Sequence, residues 1–163
     1  MFRHILIAVS GNSDHTALVT AIRLSHEHRA LVTVLHVADW VPYIQGAEMD
    51  FGALLTCAEE HGRMVIAQAA ELLSQAGCTA DTHMITQSTG GGSLGKAIAN
   101  FAYDKGAELI VLGKRPTGWW HWVAENVSSQ VQRHAKVPVL IASGERFRRV
   151  PAVKQWSKPL WTY

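Results

Sequence analysis

The apolar positions of this chain fall into short buried runs separated by stretches of helical period. Residues 4–9 form an apolar run that stops at Ser10-Gly11-Asn12-Ser13, and they predict a first strand. Asn12 or Ser13 is suited to cap a helix over residues 14–28, in which Ala17, Ala21 and Leu24 share one face. Residues 30–37 (ALVTVLHV) are dense in β-branched residues and predict a second strand. After a long loop holding Trp40, Pro42 and Tyr43, a helix is expected over residues 51–76. Gly77 stands where a helix-terminating glycine belongs. Gly52 and Gly62 weaken the early turns of this helix, so a late start or a bend is expected.

Residues 79–86 (TADTHMIT) alternate rather than run, which predicts an edge strand open to water on one face. A glycine-rich turn leads to Ser93, which caps a helix over residues 94–105 with Leu94, Ile98, Phe101 and Ala102 inward, ended by Gly106. Residues 109–112 are a fully apolar run closed by Gly113. A Trp-rich loop follows, then a helix over residues 122–134 with Val123, Val127 and Val131 in line, and then a last apolar run over residues 139–142. Five strands alternating strictly with four helices predict a doubly wound, Rossmann-like α/β sheet with helices on both faces. In such sheets the ligand crevice lies beyond the carboxyl ends of the strands. That directs attention to the loops after the first, third and fourth strands.

Composition agrees with one folded domain over residues 1–143. The 163 residues are 48% hydrophobic and 17% charged. No apolar run approaches the ~20 residues a membrane helix needs, and the start reads as a strand rather than a signal peptide, so a soluble cytoplasmic protein is expected. Charge adds a second feature. Residues 144–163 carry Arg146, Arg148, Arg149, Lys154 and Lys158 against Glu145 alone, which makes this tail +4 and the rest of the chain −2. The tail also holds Phe147, Trp156, Trp161 and Tyr163, an aromatic content unlike a disordered segment. It is expected to pack across a partner subunit, with binding to nucleic acid or an anionic surface as the rival.

Candidate chemistry is sparse. Cys57 and Cys78 have no metal spacing and read as reduced thiols, and the nine histidines form no H-x3-H or H-E-x2-H motif, so no metal site is expected. Ser10, Ser128 and Ser129 stand in no nucleophile motif, and no catalytic residues are assigned. Trp119, Trp120 and Trp122 flank His121 in a loop, where three indoles cannot all face the core. Core packing, a partner surface or a stacked small molecule would each occupy one of them.

HILIAVS at the start, VTVLHV in the second strand, GGGSLGKAI at the third helix and ELIVLGKR…VSSQVQRHAKVPVLIAS at the end resemble the universal stress protein family, in register over residues 1–143. The resemblance implies strand order 3-2-1-4-5, a homodimer paired through the last strand, and a cytoplasmic role in stress survival through partner contacts. One branch of that family binds ATP through G-x2-G-x9-G-[S/T] after the fourth strand, with an Asp ending the first; the other lacks these residues. Here Gly113 is kept, Pro116 replaces the second glycine, Glu125-Asn126 stand at the G-[S/T] pair, and Ser10 stands at the Asp position. Pro116 offers no N–H to a phosphate. Glu125 would set a charge near a triphosphate, at a cost on the order of 4 kcal/mol, or about three decades of affinity. Lys114 and Arg115 oppose it in part.

The resemblance therefore points to the branch without the ATP motif, non-catalytic and without a cofactor. The alternative is an ATP- or AMP-binding module with a drifted motif, with slow ATP hydrolysis as its extension. Its site would comprise Val9, Ser10, Gly11, Val37, Gly92, Gly113, Lys114, Arg115, Asn126, Val127 and Ser128. The dimer surface would comprise Val137, Pro138, Val139, Leu140, Ile141 and Ala142, a strand with no lysine to blunt its edge.

Overall fold

The computed structural model describes residues 1–11, 15–38, 50–86, 93–113 and 127–142. The elements are β1 (His4–Val9), α1 (Thr16–His28), β2 (Leu31–Ala38), α2 (Phe51–Gln75), β3 (Ala80–Thr86), α3 (Leu94–Asp104), β4 (Leu109–Gly113), α4 (Val127–His134) and β5 (Val139–Ala142). All five strands are parallel in the order β3-β2-β1-β4-β5. This is the doubly wound sheet and strand order expected. Among the described residues, no helix is long and apolar enough to cross a membrane.

Each face of the sheet buries its own core. On one face Ile5, Ile7, Val32, Val34, Leu109 and Val111 pack under α1 and α2. On the other, Leu6, Leu35, Val37, Ile110 and Leu112 pack under α3 and α4. The alternation follows from the two-residue period of a strand, and β2, β1 and β4 supply both faces because they lie inside the sheet. Each such side chain contributes roughly 1.5–3 kcal/mol on burial. β3 lies at an edge and is half-exposed along its length, which is why its sequence alternates.

Several boundaries differ from the sequence reading. Helix α1 begins at Thr16 behind His15, whose side chain makes no capping bond; the expected caps Asn12 and Ser13 lie outside the described residues. β2 runs one residue later than expected, and α3 stops at Asp104. Helix α2 does not start late: Asp50 accepts a hydrogen bond from the Gly52 amide at 3.1 Å, so a side-chain cap offsets the weak propensity of that turn. Gly77 and Gly106 take positive φ after α2 and α3, as glycine allows without strain. Helix α1 ends instead on Arg29, at φ 53°, with its N–H bonded to the Ser25 carbonyl.

Packing accounts for Gly62. A Cβ at Gly62 would stand 2.7 Å from both His36 Cδ2 and Met84 Sδ, so α2 approaches the sheet where it has no side chain. Gly95 does the same for α3 against α4. The Trp119, Trp120 and Trp122 loop and the tail beyond Ala142 lie outside the described residues.

Candidate functional site

The carboxyl ends of β1, β2 and β4 sit side by side, because Val9 is in register with His36, and Ala8 with Leu112. Ser10 and Gly11 leave β1 exposed to solvent, while Val37 is buried beside them. Gly113 closes β4 and is half-buried. Among the described residues a Cβ there would meet only Ala17 Cβ, at an ordinary 3.8 Å. Packing among the described residues does not require glycine at this point, so its lack of a side chain leaves the strand end open to a close approach.

On the opposite face, the starts of α3 and α4 are brought together. Ser93 accepts a hydrogen bond from the Lys96 amide at 3.2 Å, which satisfies one N–H of the first turn. The same hydroxyl donates to Gln130 Oε1 at 3.4 Å. Val127 and Ser128, the first residues of α4, are both half-buried, with Val127 packed on the α3–α4 core. The described members of the expected nucleotide set (Val9, Ser10, Gly11, Val37, Gly113, Val127 and Ser128) thus lie at this end of the sheet. Gly92, Lys114, Arg115 and Asn126 lie outside the described residues, as do Pro116 and Glu125.

Two histidines that sequence reasoning treated as scattered meet here. His36 Nδ1 lies 3.0 Å from the Val9 carbonyl oxygen. A carbonyl only accepts, so Nδ1 carries the proton and Nε2 holds the lone pair. Burial is the main cause holding the His36 pKa below its ordinary value; the Val9 hydrogen bond opposes this, and His61 lowers it further. The His61 ring stands 6.4 Å from that of His36, edge to face. It also rests on Gly11, where a Cβ would come within 2.7 Å of His61 Cε1. The end of β1 is therefore lined by imidazoles. The available signals were a polar residue inside the buried run of β2, and a glycine in mid-helix immediately after His61.

Cys57 and Cys78 are free thiols, and Cys78 Sγ lies 3.2 Å from His26 Nε2 at the far end of α1. Among the described residues, no group of three or more His, Cys, Asp or Glu side chains is placed to hold a metal ion.

The described residues of the expected dimer strand form the outer edge of the sheet. Val139 and Ile141 are half-buried, Ala142 is buried, and Leu140 is 37% exposed. β4 is the neighbour of β5 on one side, and among the described residues no strand pairs with the other. Val137 is half-buried and Pro138 exposed; the Pro138 carbonyl accepts from the Ile110 amide.

Comparison with known proteins places this geometry. The family profile described as universal stress protein family matches residues 1–143. A universal stress protein of Mycolicibacterium smegmatis is 29% identical over 143 residues, covering 86% of this chain and 48% of that protein. The chain thus spans about half the length of that curated relative. Among solved structures, a universal stress family protein from Burkholderia pseudomallei superposes with a TM-score of 0.66 at 24% identity, over 85% of this chain and 93% of that one. The universal stress protein of Archaeoglobus fulgidus, solved in complex with dAMP, gives 0.63 at 19% identity, over 86% and 98%.

Proposed function

The chain belongs to the universal stress protein family, and from that premise we propose that it acts as a non-catalytic cytoplasmic homodimer, supporting stress survival through contacts with a client protein and without bound ATP. The observation that carries this reading is the end of β1. Ser10 offers no carboxylate, and the strand end is occupied by His36 on the Val9 carbonyl and His61 against Gly11. The Pro116 and Glu125 substitutions act in the same direction, removing an N–H donor and adding a charge. The apolar β5 edge, with Leu140 exposed and no partner strand on its outer side among the described residues, supports the dimer, since an unpaired edge pairs and a two-fold copy is the simplest closed solution. In this reading residues 1–143 are the stress-protein domain and 144–163 a basic, aromatic segment lying across the partner subunit; attachment to nucleic acid or an anionic surface is its rival role.

The second reading is a nucleotide-binding module. It is favoured by Gly113, whose lack of a side chain no described neighbour demands, and by the dAMP complex of the Archaeoglobus fulgidus protein. The two are separated by assaying nucleotide released from denatured purified protein, and by titrating the nucleotide-free form with Mg-ATP and AMP. The proposal expects no co-purified nucleotide and at most weak binding. Stoichiometric ATP or a micromolar dissociation constant would establish the second reading instead.

A further inference from the structure

Val9, His36 and Met84 form one lateral row across three strands, because Val9 is in register with His36 and His36 with Met84. Helix α2 covers this row at His61 and Gly62. Gly62, having no side chain, lets α2 close onto two donors that border one point: a Cβ there would stand 2.7 Å from Met84 Sδ and 3.2 Å from His36 Nε2. A second imidazole, His61, has its ring centre 6.4 Å from that of His36. Two imidazoles on opposite sides of one ion, with metal–nitrogen bonds of about 2 Å, have centres roughly 6 Å apart.

The His36 ring is already held as a metal ligand is held. Its Nδ1–H is committed to a backbone carbonyl, which fixes both tautomer and orientation and turns the Nε2 lone pair away from β1. We propose that His36 Nε2, Met84 Sδ and a ring nitrogen of His61 form a binding site for a soft monovalent cation of the Cu(I) class. The donor set selects this class. A thioether and two neutral imidazoles suit a soft ion, whereas Mg²⁺ and Ca²⁺ require oxygen donors, and structural Zn²⁺ sites use four ligands rich in thiolate or imidazole. The three side chains come from β2, β3 and α2, so binding would tie that helix to the sheet. His61 completes the set by turning about χ2, a broad torsion for an imidazole. Binding is dative and involves no redox step.

Ag(I), which is diamagnetic, is the probe. The full-length reduced protein, carrying 13C at its methionine methyl groups, is titrated with silver nitrate in chloride-free buffer. The proposal expects the Met84 methyl and the His36 ring nitrogens to shift together over the first equivalent, with Met1, Met49 and Met64 unmoved. Met84→Leu, close in volume, should retain the fold by circular dichroism and lose at least about tenfold in silver affinity, since outer-shell partners of a metal site are by themselves worth roughly 10–100-fold. Cys57 and Cys78 compete for the same ion, so the titration is repeated on a Cys57→Ser, Cys78→Ala protein. A Met84 methyl that stays in place there, or that moves only together with all the other methionines, would overturn the proposal.

Discussion

Gly95 of α3 and Gln130 of α4 meet backbone to backbone: a Cβ at Gly95 would lie 2.8 Å from the Gln130 carbonyl carbon and 2.7 Å from the Val131 amide nitrogen. A main-chain obstacle cannot move aside as a flexible side chain can. Gly95→Ala should therefore separate the two helices. It should cost about 1–3 kcal/mol of overpacking even though alanine is the better helix former by about 1 kcal/mol. Urea denaturation checks the sign. A more stable variant would mean the helices are not held at this distance.

Arg29→Gly should act in the opposite direction. Arg29 sits at φ 53°, ψ 42°, and holds its N–H on the Ser25 carbonyl. The left-handed conformation costs an L-residue on the order of 1–2 kcal/mol, which glycine escapes while losing more backbone entropy on folding. A net gain of about 0.5–1 kcal/mol is expected, with helix content unchanged. Alanine at the same position should give none of it.

Stability should fall on mild acidification, and His36 is the cause. Burial holds its folded pKa below the ordinary 6.5, and among the described residues the other titratable group acting on it is His61, from α2. The unfolded chain therefore binds the proton more readily. The contribution is fully present above about pH 6.5 and is lost as pH falls through the window from the unfolded value toward the lower folded value. Denaturation midpoints between pH 7.5 and pH 5 read this directly. His36→Gln should flatten that slope, and a slope unchanged by it would assign the effect to other histidines.

Leu140→Lys tests the dimer proposed through β5. Leu140 is the exposed large apolar side chain of that edge strand. Placing an ammonium in a two-fold strand pairing opposes a like charge against itself across the axis. Sedimentation equilibrium at micromolar concentration should show monomer where the unaltered chain is dimeric. A dimer of undiminished strength would place the contact on another surface.

The nine elements were legible in the sequence because their signals are local. Buried runs such as LIVL in β4, the Ser93 cap and the glycines at 77 and 106 each act within a few residues of themselves. The family followed from the same runs and from the spacing in the α4–β5 block. Tertiary structure decided what depends on register. His36 and Met84 are polar and polarisable residues on separate strands, and their adjacency is set by how β2 and β3 align across the sheet. The packing role of Gly62 stayed hidden in the sequence for a similar reason. Helix propensity is a property of one residue in its own turn, whereas Gly62 is required by His36 and Met84 beneath it, through a contact the linear chain does not display.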